Sequence, residues 1–144
     1  MKTLRIITSV LAIVALIKFS SCSPDDPTSP TLQQLAFEKL AGDWILGTVG
    51  SIVVDGQDLS LNYPGFSLSF TDGGYATSNA GDLFNATGTW TWTDEEAGEV
   101  SLDDGKVLTI ATLTENVFKF TFDFAGTGGV ANGIGGSYEI TVVK

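Results

Sequence analysis

Four phenylalanines at every second position, Phe118, Phe120, Phe122 and Phe124, alternate with Lys119, Thr121 and Asp123. A period of two puts successive side chains on opposite faces of an extended chain, so this run reads as a strand with one apolar and one wet face. The pattern recurs. Phe66, Leu68 and Phe70 alternate with Ser67 and Ser69, Trp90 and Trp92 with Thr89, Thr91 and Thr93, and Tyr138, Ile140 and Val142 share a third such face. One-sided strands of this kind belong to antiparallel sheets.

The punctuation between them sets the architecture. Strands are predicted at Trp44 to Val54 (bent at Gly47 and Gly50), Phe66 to Phe70, Tyr75 to Ser78, Thr87 to Thr93, Glu99 to Leu102, Val107 to Leu113, Val117 to Ala125 and Ser137 to Val143. Turn signals separate them: Asp55-Gly56, Asp72-Gly73-Gly74, Asp94 to Gly98, Asp103-Asp104-Gly105, Glu115-Asn116 and a Gly-rich stretch, Gly126 to Gly136. Eight strands on hairpin-length connections favour an all-β, antiparallel up-and-down barrel, whose closure removes exposed sheet edges. An open meander or a two-sheet sandwich is the competing architecture. Ahead of the strands, Thr31 to Leu40 spaces Leu32, Leu35, Ala36 and Leu40 as a short amphipathic helix that stops at Gly42. Its apolar face is expected to cover an open end of the barrel, with the Trp44 indole beneath it.

The first thirty residues have a different composition. Met1 to Ser21 carries Lys2, Arg5 and Lys18, no acidic residue, and an apolar run from Ile6 to Ile17. It reads as an export signal, residues 1–21, since twelve helical residues span about 18 Å against a hydrocarbon core of about 30 Å. Phe19-Ser20-Ser21-Cys22 resembles a bacterial lipobox, which implies cleavage before Cys22 and lipidation of its thiol, traceable with palmitate. A lone cysteine has no internal disulfide partner. Residues 22–30 continue as a Pro-rich tether, in which Ser23 to Pro30 reaches about 25 Å if extended. Residues 31–144 form one domain. Asp25 and Asp26 also resemble the acidic export signal of surface lipoproteins; an ordinary solvated linker is the alternative.

Beyond residue 21 only four lysines oppose 17 acidic residues, with no Arg and no His. A nucleic-acid partner is therefore not expected, nor direct adhesion to an anionic membrane. Without His there is no Ser-His or Cys-His nucleophile pair, and no Cys/His cluster for zinc. Asp94, Glu95, Glu96, Glu99, Asp103 and Asp104 lie on predicted turns, where solvated carboxylates are expected rather than a catalytic dyad. Gly126-Thr127-Gly128 with Ala131 matches a dinucleotide-binding spacing, but no helix follows and the chain after it is too short for a βαβ unit. No enzymatic role, metal or cofactor is expected.

Gly42-Asp43-Trp44 after a short helix, Gly88-Thr89-Trp90 in mid-domain and the Asp72 to Tyr75 hairpin together resemble the lipocalin-like (calycin-type) domain of small bacterial outer-membrane lipoproteins, over about residues 35–144. The resemblance implies structural roles for Gly42 and Trp44 at the barrel end. In that family an Arg from the last strand packs on the Trp. This chain has no Arg after residue 5, so that contact is expected to be missing. A barrel interior lined by Phe66, Phe70, Trp90, Trp92, Phe118, Phe120, Phe122 and Tyr138 is the candidate site for a small hydrophobic ligand. The alternative is that these side chains fill the barrel. The expected function is thus a lipid-anchored, non-enzymatic protein at the outer membrane, on its periplasmic or surface side, that holds such a ligand. The other reading is a structural or interaction module with a filled core, offering Asn79 to Asp82 and Gly126 to Gly136 to an envelope protein.

Overall fold

The computed structural model describes residues 29–126 and 133–144. The export signal, Cys22, most of the tether and the centre of the Gly-rich loop, with most of the dinucleotide-like spacing, lie outside the described residues.

Thr31 starts the fold as a helix cap. Its hydroxyl accepts from the Gln34 amide (3.1 Å), and the Gln34 side chain accepts from the Thr31 amide (2.8 Å), a reciprocal capping box ahead of α1 (Leu32–Leu40). The strands follow: β1 (Gly42–Ile45), β2 (Ser51–Val54), β3 (Gln57–Asp58), β4 (Ser67–Thr71), β5 (Gly74–Ser78), β6 (Thr87–Trp92), β7 (Glu99–Leu102), β8 (Val107–Leu113), β9 (Val117–Phe124) and β10 (Gly136–Val143). A short 3-10 turn, Ser60–Asn62, lies between β3 and β4.

All pairings are antiparallel, and β4 to β10 pair in chain order. β1 pairs with β4 over its whole length and meets β10 at Ile45 and Val143, which closes eight strands into a barrel. β2 pairs further along the same edge of β10, Ile52 opposite Ile140. The predicted first strand is therefore one bent strand that shifts its pairing from β4 to β10. The break falls at residues 46–50, where the Gly50 amide donates back to the Leu46 carbonyl (2.8 Å). Asp55 and Gly56, both at positive φ, make the two-residue turn into β3, the type I′ geometry that matches strand twist.

The alternation read from the sequence is the alternation of burial. Phe118, Phe120 and Phe122 of β9, Tyr138, Ile140 and Val142 of β10, and Leu68 and Phe70 of β4 are buried, while their neighbours face outward. Each fully buried side chain of this size contributes about 1.5–3 kcal/mol.

α1 covers one end of the barrel, but on a different stripe from the expected one. Leu40 is buried, Gln33, Ala36 and Phe37 are half-buried, and Leu32 (58 % exposed) and Leu35 (41 %) face outward. The reason is the joint that follows the helix. The Trp44 indole N–H donates to the Leu40 carbonyl (2.8 Å), and the Ala41 amide to the Phe37 carbonyl (2.8 Å). These bonds fix Leu40 over the barrel, and helical spacing then carries Phe37, Ala36 and Gln33 inward with it.

Trp44 is fully buried against Phe118, with ring centroids 5.6 Å apart. The cation expected to be missing is present in another residue type. Lys144 Nζ lies 4.4 Å from the centroid of the Trp44 ring and donates to the carbonyls of Lys39 and Ala41, both at 2.7 Å. A lysine reaches this point because its charge sits at the tip of a flexible stem. Gly42 stands beneath that side chain at φ +112°, a backbone conformation that L side chains rarely adopt.

Candidate functional site

Of the eight aromatic residues expected to line the interior, six converge there. Phe66, Phe70, Phe118, Phe120, Phe122 and Tyr138 are all buried and linked ring to ring. Phe118 stacks on Phe120 (4.6 Å between centroids), Phe120 on Phe122 (6.2 Å), and Phe122 on its cross-strand partner Tyr138 (5.1 Å). Phe70 meets Phe118 edge-on at 6.0 Å. The two tryptophans sit at the helix end. Trp90 is buried between Phe37 and Phe70 (5.9 and 5.8 Å), and its indole N–H donates to the carbonyls of Thr71 and Gly74 (2.9 and 3.1 Å). Trp92, still paired with Val100 of β7, is half-buried, packs edge-on against Trp90 and lines a groove beside α1.

The connection that begins with Asn79 to Asp82, and two residues after it that the sequence pattern assigns to no element, supply the rest of the core. Between β5 and β6 the chain turns inward and buries Ala80, Leu83 and Phe84. The Phe84 ring lies 6.2 Å from Phe66, 6.4 Å from Phe120 and 5.2 Å from Phe122, so it bridges facing walls of the barrel. Phe84 thus fills space between these walls. The signal that could have found it is the Leu83-Phe84 pair itself, an apolar couple between Gly-Asp and Asn.

The barrel thus has two differently built ends. The helix end holds α1, Lys144 and the Asp72-Gly73 hairpin. The opposite end brings together the two loops named from the sequence. A Cβ built on Gly133 would lie 2.9 Å from Asp82 Cβ, so the described residues that lead into β10 lie against the β5–β6 loop. Tyrosines line this end. Tyr138 donates to the Ile134 carbonyl (2.6 Å) and shares a hydrogen bond with Tyr63, and Tyr75 approaches Asp103 Oδ1 at 3.4 Å. Burial, then the charges of Asp104 and Asp103, pushes the Tyr75 hydroxyl up to about 12. Burial also raises Tyr63 and Tyr138. Lys106 closes the rim, paired with Asp104 (2.6 Å) and lying over the Phe84 and Phe124 rings at 5.5 and 5.7 Å. Among the described residues, three apolar side chains at this end are exposed, Leu61 (95 %), Ile134 (59 %) and Val107 (41 %), the last next to Lys106.

The candidate carboxylates organise turns. Asp94 accepts from the Gly98 amide (2.8 Å), and Glu99 accepts from the hydroxyls of Thr93 and Thr109 (both 3.3 Å). Among the described residues, no group of three or more His, Cys, Asp or Glu side chains is placed to hold a metal ion. No helix among them is long and apolar enough to cross a membrane. A scan against protein-family models finds no match, and a search of curated proteins finds no similar sequence.

Proposed function

We propose that this chain is a lipid-anchored, non-enzymatic interaction module of the cell envelope, lipocalin-like in build, whose filled barrel offers its loop end to a protein partner. The observation that carries this reading is Phe84. With its ring between Phe66, Phe120 and Phe122, the interior is occupied by the chain's own side chains. That favours recognition on the outer surface over a ligand held inside. The loop end exposes Leu61 and Ile134 to a partner, while its tyrosines are buried and give those loops a fixed base. The Gly42 to Trp44 entry and the Lys144 contact support the lipocalin-like comparison. Cys22 as the lipid attachment point at the outer membrane belongs to the same proposal. The chain enters the barrel at α1, so an anchor upstream would leave the loop end pointing away from the lipid.

The test uses the full chain in its own membranes. Cys22→Ser should abolish palmitate incorporation and release the protein. In the anchored protein, cross-linking should recover a specific envelope protein, and Leu61→Asp with Ile134→Asp should lose it without lowering the melting temperature. Recovery of a lipophilic adduct by native mass spectrometry would overturn the filled-barrel reading and restore the interior site, provided Phe120→Ala weakens the adduct more than it weakens the fold.

A further inference from the structure

At the opposite end from those loops, α1 does not close flush against the wall. A groove of about 540 Å³ lies between its N-terminal half and the tip of the β4–β5 hairpin. Phe37, Trp90 and Trp92 form its aromatic wall, and Gln34, Asp72 and Thr91 supply its polar edge. It is open to solvent, wide enough to admit a side chain from a partner. The lip is built in place. The Trp90 indole bonds both Thr71 and Gly74 and so holds the intervening Asp72-Gly73 tip at the groove edge. The Trp92 ring stands at 88° to Trp90, with centroids 5.2 Å apart.

Charge selects among the chemistries that an aromatic wall accepts. The Asp72 carboxylate is exposed and makes no ion pair or hydrogen bond with any described residue. Glu95 and Glu96 line an adjoining hollow that shares Thr31 and Gln33 with the groove. No lysine lines either space. Of the four described lysines, Lys106 and Lys119 are paired with Asp104 and Glu139, Lys144 is committed to α1 and Trp44, and Lys39, in the last turn of α1, lines a different hollow with Glu38 and Glu115. The opposing field is the positive end of α1, equivalent to about half a charge and already capped by Thr31. Asp72 at the groove edge, with Glu95 and Glu96 in the adjoining hollow, gives this end of the molecule acidic linings. A carboxylate beside an indole face is the pairing that recognises an organic cation.

We infer that this groove binds the Arg or Lys side chain of a basic polypeptide, with the cation between Asp72 and the Trp92 face. The site is independent of the loop end, and its test does not require that the loop end bind anything.

The test titrates the full chain with the labelled peptide acetyl-(Arg-Gly)4-amide by fluorescence anisotropy. Asp72→Asn should weaken binding about tenfold. Asp123→Asn, the same change in net charge at an exposed position on β9, should change it less than about twofold. Trp92→Leu should weaken it about as much as Asp72→Asn. Should Trp92→Leu fail to fold, the comparison of Asp72→Asn with Asp123→Asn still decides. Equal losses in those two variants would reduce the effect to net charge and overturn the site. So would the absence of binding at low salt, or a neutral oligosaccharide such as maltotriose displacing the peptide at every salt concentration.

Discussion

At the scale of the single residue, Lys144 shows how one flexible side chain can serve several partners. Its ammonium does three things at once: it covers the Trp44 ring and satisfies two carbonyls, Lys39 at the last turn of α1 and Ala41 just beyond it. A cation over an indole contributes about 0.5–2 kcal/mol, and each hydrogen bond adds about 0.5–1.5 kcal/mol at most, less at an exposed site. Lys144→Ala is therefore expected to cost about 1–3 kcal/mol in urea denaturation. Lys144→Met, which keeps the stem and loses the charge, should cost nearly as much, and Lys144→Arg much less. Equal stability of all four proteins would show that the Trp44 cap stands without the cation. The Gly42-Asp43-Trp44 entry was legible in the sequence because Gly and Trp are specific types in fixed order. Its partner was not, because a terminal Lys is ordinarily a solvated charge, and nothing in one dimension shows where its flexible stem ends.

At the scale of the element, the informative loop is the one that plugs the barrel. The strands and turns were legible because period-two burial and Asp-Gly turns are local signals, and the eight predicted strands are the eight that close the ring. The stripe of α1 was misread for a physical reason. The helix is oriented by the Trp44 and Ala41 bonds, so a polar residue, Gln33, occupies a packed position, held by its bond to the Asp94 carbonyl (2.7 Å), while two leucines stay outside. The inward turn of the β5–β6 loop was not legible because Ala80, Leu83 and Phe84 lie in a stretch too short to show any period. Phe84→Ala should cost about 3–5 kcal/mol, as large-to-small core changes do, and should leave a dry apolar cavity. The expected readout is a lowered melt that benzene partly restores, with no effect of benzene on the parent protein. A parent protein stabilised by benzene as strongly as the variant would mean that the interior already has room.

At the scale of the whole molecule, the two ends of the barrel differ in how they respond to pH. The helix end is held by main-chain carbonyls and a lysine. The loop end is held by three tyrosines whose hydroxyls are all shifted upward, Tyr75 to about 12. An unfolded tyrosine titrates near pH 10. A folded pKa above that value means that the protonated hydroxyls stabilise the fold. Their contribution is complete below about pH 10 and is lost as pH rises toward and past 12. Alkaline titration should therefore show tyrosinate absorbance appearing together with loss of the β-sheet circular dichroism. Tyrosinate appearing near pH 10 in a protein that keeps its sheet signal would place these hydroxyls in solvent.

The seam between β1 and β10 has a consequence for how the molecule is made. Lys144 bonds a carbonyl 105 residues earlier, and Ile45 finds Val143 only when β10 is in place. Contacts this distant in sequence fold slowly, because the chain pays the entropy of closing a long loop before any pairing rewards it. Until β10 is in place, β1 has only β4 to pair with, and the buried face of β9 lacks the strand that carries Tyr138, Ile140 and Val142. The ring is thus an all-or-none object whose last strand is also its clasp, and the polypeptide stays pliable until that strand arrives.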